Sequence, residues 1–178
     1  MSNRTILRLA LVPLSSLLLS CANMGDAQKP TGLAASSDPC SVVRQLISDH
    51  ASGFTLLKGA HTRSRYADIW QANYHAIGNS CEIWQAGSKG ATRYVCTRAA
   101  PDEEVARQYH DRAVAALRGC LDSSWTTVAE NREADSGFQT RFEHAGLPTV
   151  VLIQGVKAQN VLSPQWTVFY SIGDFRRQ

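Results

Sequence analysis

The chain contains no apolar run long enough to cross a bilayer. Its longest, Leu9 to Leu19, is broken by Pro13, Ser15 and Ser16, whereas a spanning helix needs about 20 mostly apolar residues. Charge of one sign is scarce too. The formal net charge is +3, and two of the positives, Arg4 and Arg8, precede the apolar run. So small an excess argues against nucleic acid, which is held through clustered positive charge. Catalytic signatures are missing: there is no GxSxG, HExxH, Gly-rich phosphate loop, EF-hand spacing or CxxC. Histidines stand at 50, 61, 75, 110 and 144 without ligand-like spacing. These absences assign no catalytic residue, no metal ligand and no cofactor.

The N-terminus is organised nonetheless. Arg4 and Arg8 followed by the interrupted apolar stretch form an export signal. Leu18-Leu19-Ser20-Cys21 resembles the lipobox of bacterial lipoproteins, in which a small residue precedes the cysteine that is lipidated and becomes N-terminal. The resemblance covers the first 21 residues. It implies a signal peptide over 1–20, a lipid on Cys21 and attachment to a membrane through that lipid. By the same analogy, Ala22 after the cysteine implies the outer membrane, with the domain facing the periplasm. An ordinary signal peptide cleaved near Ala22 is the alternative. Removing residues 1–20 leaves 158 residues and a formal charge of +1. Small, polar and Gly/Pro-bearing residues then make 21–36 a flexible tether with a reach of roughly 20 Å. Residues 37–178 suffice for one domain with a core of its own.

Cysteine usage fits an oxidising compartment. With Cys21 set aside, Cys40, Cys81, Cys96 and Cys120 form an even set, which allows three connectivities. The stretch Ser80–Thr97 selects among them. Gly87-Ser88-Lys89-Gly90 is a turn between two runs rich in β-branched and aromatic residues. Pairing outward from it sets Trp84 against Arg93, Ile83 against Tyr94 and Cys81 against Cys96. Opposed residues in a non-hydrogen-bonded antiparallel pair lie close enough for a disulfide. Cys81–Cys96 leaves Cys40–Cys120, joining the start of one helix to the end of another.

Two helices are predicted. Asp38 caps the first and Pro39 opens it, with Val42, Val43, Leu46, Ile47 and His50 on one face and Gly53 as the stop. Pro101 and the acids 102–104 open the second, which runs to about Leu121 with Val105, Tyr109, Ala113, Ala116, Leu117 and Cys120 as its apolar stripe. His110 falls beside that stripe, on the surface. Between the helices, Lys58 to Arg65 reads as an exposed connection or strand edge. Asp68–Ile77 and the two hairpin arms read as strands. After the second helix come Trp125–Glu130, the clean alternation Phe138–Glu143, the apolar run Thr149–Val156 and Trp166–Ile172. The fold class is therefore α+β: a mostly antiparallel sheet, two helices on one face, order αβββ-αββββ and two disulfides.

For function, the pattern indicates a non-enzymatic binding module at the envelope, with another envelope protein or a small ligand as partner, sought on the open sheet face. Candidate contacts are the basic cluster Lys58, Arg63 and Arg65, together with Trp84 and Arg93. A protective inhibitor or immunity lipoprotein, using the Lys58–Arg65 or 157–165 loop, is the second reading. An envelope hydrolase is the third, and it requires histidines and carboxylates to converge.

Overall fold

The computed structural model describes residues 38–76, 80–87, 90–132, 137–158 and 165–175, apart from the side chains at 63 and 132. The signal peptide, Cys21, the tether and the C-terminal arginines lie outside the described residues. So do the Gly78-Asn79 turn, the tip of the Ser88-Lys89 turn and most of the 157–165 loop.

Helix α1 spans Pro39–His50, and Asp38 accepts the N–H of Cys40 at its N-cap. A 3-10 turn over Thr55–Leu57 leads into β1 (Lys58–Arg63), β2 (Asp68–Ala72), β3 (Ser80–Gln85) and β4 (Thr92–Ala100). Helix α2 covers Glu103–Cys120, with the Asp102 carboxylate accepting the N–H of Val105. It is followed by β5 (Trp125–Arg132), β6 (Gly137–His144), β7 (Val150–Lys157) and β8 (Trp166–Gly173). Each half is thus a helix followed by a four-strand meander. The expected order of helices and strands holds, with Lys58–Arg63 adding a fourth strand to the first half.

All eight strands form one antiparallel sheet in the order β1-β2-β3-β4-β8-β7-β6-β5. Helix α2 carries the chain from β4 to the far edge, and the second meander returns until β8 lies against β4. The halves therefore meet at the sheet's centre, leaving β1 and β5 as its edges.

One row of register partners crosses five strands: Ile83, Tyr94, Ile172, Val151 and Phe142. All five are essentially inaccessible. With Leu46, Ala106 and Leu117 they belong to a single core cluster, so both helices cover the same sheet face. Full burial of each large side chain in that row contributes roughly 1.5–3 kcal/mol. In the adjacent row the opposite face carries Val95, Ser171 and Leu152, also buried. That explains the apolar run Val150–Ile153 in β7, whose side chains are buried alternately on both faces.

Both disulfides join as expected. Cys81 and Cys96 are direct partners across β3 and β4, with Cα atoms 4.0 Å apart. Cys40 and Cys120 tie the start of α1 to the end of α2, with Cα atoms 4.8 Å apart.

Two expectations are overturned, and a third resolves between its two forms. The strand expected over Asp68–Ile77 stops at Ala72. Beyond it the backbone is drawn out of the ladder by Tyr94, whose phenol donates to the Tyr74 carbonyl and accepts the Ala76 N–H. Of the two forms expected for Lys58–Arg65, an exposed connection or a strand edge, the stretch Lys58–Arg63 takes the second as edge strand β1. And His110 is buried, its ring edge-on to Phe138. The innermost line of α2 is Ala106, His110, Val114 and Leu117, rotated by about one residue from the expected stripe. Tyr109 and Ala113 remain half-exposed because they border a cleft.

Candidate functional site

That cleft lies between α2 and the sheet, on the helix-covered side and not on the open face. Small side chains create it: Ala113 and Ala116 on α2 and Ala76 in the segment leaving β2 fill too little space to close the gap. It comprises two chambers that share Ala76, Ala113 and Tyr170. The larger, of about 350 Å³, is floored by Ile153, Val168 and Tyr170. The smaller, of about 140 Å³, continues beneath α1 against Val42, Val43 and Leu117. The larger volume falls in the range of small-molecule sites.

Polar groups gather at the larger chamber. Arg98, on β4 beside Val168 of β8, lays its guanidinium over the Tyr109 ring, 3.7 Å from the centroid. Arg112 lies one turn beyond Tyr109 on α2 and lines the same chamber. Both arginines are exposed, and among the described residues neither forms an ion pair with a carboxylate. Tyr170 is buried, and among the described residues its hydroxyl has no hydrogen-bond partner. Burial, with Tyr94 and Tyr74 nearby, pushes its phenol well above the usual range. The hydroxyl therefore remains a donor without an acceptor, which costs about 1–3 kcal/mol.

The sequence-predicted contact residues do not converge. Lys58 faces the helix side, its ammonium 3.9 Å from the Trp70 ring centroid and 3.3 Å from the Gln85 side-chain oxygen. Burial lowers its pKa, partly offset by Asp68. Arg65 lies at the β1–β2 turn, above Tyr66. Arg63 ends β1, and its side chain is outside the described residues. Trp84 and Arg93 are cross-strand partners on the open face, but they do not pair with each other. The Trp84 indole N–H donates to Glu82, while Arg93 donates to the Asp174 carbonyl and covers Phe175.

The histidines are dispersed as well. His61 contacts Asp68 and stacks on Trp70 at the β1 edge, His110 contacts Asp111, and His144 packs by Trp125. His50 lines a third cleft, of about 610 Å³, where its two ring nitrogens face Thr149 and Asp174. Among the described residues no three His, Cys, Asp or Glu side chains gather as a metal would require, and no helix is long and apolar enough to cross a membrane.

Arg98, Arg112 and the Thr149–His50–Asp174 array carry no short-range signal in the sequence. Tyr109, Ala113 and Tyr170 were legible as face-defining residues, though not as cavity walls. The fold and cleft define an α+β, disulfide-stapled domain with a ligand-sized recess under one helix. Compared with protein-family models, curated proteins and solved structures, the chain matches none.

Proposed function

We propose that this protein is a lipid-anchored envelope lipoprotein whose folded domain is a non-enzymatic binding module, held on the outer membrane and facing the periplasm. The observation that carries this reading is the state of the cysteines. Cys40, Cys81, Cys96 and Cys120 are all consumed in two disulfides. Cys21 stands apart, directly after Leu18-Leu19-Ser20. Disulfides persist where export has taken a protein out of the reducing cytosol, and the leftover cysteine is the one in lipobox position. The cleft beneath α2 supplies the binding element, and no acid–base pair or nucleophile is needed to account for its residues.

Fractionation of cells expressing Cys21→Ala tests the reading. The wild-type chain sediments with membranes and the variant moves to the soluble periplasmic fraction; membrane association unchanged by the substitution refutes the anchor. Crosslinking the anchored protein in its own envelope then identifies what the domain holds.

A further inference from the structure

We propose that the cleft under α2 binds a single-chain anionic amphiphile, a fatty carboxylate, with its head at Arg98 and Arg112 and its chain running across Tyr170 into the chamber beneath α1. The inference rests on the reading of the domain as a binding module and assigns the ligand class. Three features carry it. Two guanidiniums lie at the larger chamber without carboxylate partners among the described residues, and Arg98 is held in place by its stacking on Tyr109. Arginine presents a planar fork matched to a carboxylate. The inner chamber is the opposite in character: Val42, Val43, Leu117 and Ala116 offer it apolar surface. A charged chamber continuing into an apolar one selects a molecule with one charged and one greasy end.

Size narrows the class. At about 350 Å³ with a 140 Å³ extension, the recess sits toward the small end of ligand sites, which suits one acyl chain and not two. Tyr170 belongs to both chambers, so its side chain lies in the wall the chain would pass.

The test is calorimetric titration of the exported chain carrying Cys21→Ser, purified without detergent, with octanoate, decanoate and laurate below their micellar limits. Affinity is expected to rise roughly fourfold per methylene, the factor that burial of a CH₂ implies. Dodecyltrimethylammonium, with the same tail and the opposite charge, is expected to bind at least tenfold more weakly than laurate. Arg98→Ala with Arg112→Ala, both exposed, should weaken laurate binding at least tenfold with an unchanged circular dichroism spectrum. Ala113→Phe should abolish binding by filling the junction of the chambers; if that variant fails to fold, Ala116→Leu serves instead. Affinity indifferent to chain length or head charge overturns the proposal, as does laurate binding that survives the double arginine change. Dodecyl phosphate binding more than tenfold tighter than laurate overturns the carboxylate head. No laurate binding by a chain that wild-type fractionation shows to be anchored refutes the ligand class alone. Laurate binding by a chain whose membrane association ignores Cys21 refutes the anchor alone.

Discussion

The hydroxyl of Thr149 lies 2.8 Å from Nδ1 of His50, joining residues 99 positions apart. The other ring nitrogen stands 3.3 Å from the Asp174 carboxylate, which also accepts the Thr92 N–H. The ring thus stands between a hydroxyl, which can donate or accept, and a carboxylate, which accepts. One buried ring thereby ties the end of α1 to the entry of β7 and to the residue after β8. The order hydroxyl, imidazole, carboxylate invites comparison with a catalytic relay. Thr149, however, is only 4 % exposed, which suits a structural tie better than a nucleophile that must meet a substrate.

Thr149→Val should accordingly cost about 1–3 kcal/mol, because it strands a buried ring nitrogen. Urea unfolding of Thr149→Val, His50→Phe and the double variant would measure the coupling between them. A coupling of about 0.5 kcal/mol or more is expected for groups in direct contact. Strictly additive losses would mean that the hydrogen bond contributes nothing of its own.

Gly155 gives a second, purely steric prediction. It is the register partner of Phe138 across β6 and β7, and the ring lies over it. A Cβ built there would come within 2.1 Å of the ring. Phe138 is also stacked on Trp166 and edged by His110, so it cannot swing away freely. Overpacking of this kind costs about 1–3 kcal/mol, and thermal denaturation of Gly155→Ala should show the loss. Combining it with Phe138→Leu should make the glycine substitution nearly silent. An undiminished penalty on the leucine background would place the clash elsewhere.

Local periodicity and cysteine spacing were enough to read the β3–β4 register, both disulfides, both helix starts and the inward set of β6, because each is decided by neighbours within a hairpin or a turn of helix. The strand β1 was harder. Lys58-Gly59-Ala60-His61-Thr62-Arg63 has no apolar alternation and joins the sheet through its backbone pairing with β2. His110 carries a related difficulty: the orientation of α2 is set by the sheet beneath it, and Ala106 and His110 are buried whereas Val105 and Tyr109 pack only part of their surface against the core. The cleft was invisible altogether. Its walls come from both helices, three strands and the segment after β2, and its volume depends on how those parts fail to close.

The two disulfides should differ in worth. In the loop-entropy account, stabilisation grows with the length of chain closed: about 3 kcal/mol for the 15-residue Cys81–Cys96 separation and about 4.5 kcal/mol for the 80-residue Cys40–Cys120 separation. Paired Cys→Ser variants compared by urea unfolding should show the larger loss for Cys40–Cys120. The sulfurs of Cys81 and Cys96 lie inside the core, however, and two serines there would bury hydroxyls. Paired Cys→Ala changes at both sites remove that difference. A larger loss at Cys81–Cys96 in the alanine pair would indicate that core packing outweighs the chain constraint.

Alkaline pH should unfold the domain through its tyrosines. Burial raises the pKa of Tyr94 and of Tyr170 far above their ordinary 10.0. A phenol whose pKa is higher folded than unfolded contributes stability that is complete below pH 10 and declines above it, as the unfolded chain releases protons the native state retains. Cooperative loss of circular dichroism should therefore set in above pH 10, with the tyrosinate absorbance of these two residues rising in the same transition. Tyr170→Phe removes a hydroxyl with no partner among the described residues, so it should leave neutral-pH stability unharmed or improved and move the alkaline midpoint upward. Tyr94→Phe should behave differently. It strands the Ala76 N–H and the Tyr74 carbonyl, and a loss of about 1–3 kcal/mol should already be visible at neutral pH. If difference spectra against the two variants show either phenol ionising while the sheet is intact, that ring is not buried in solution.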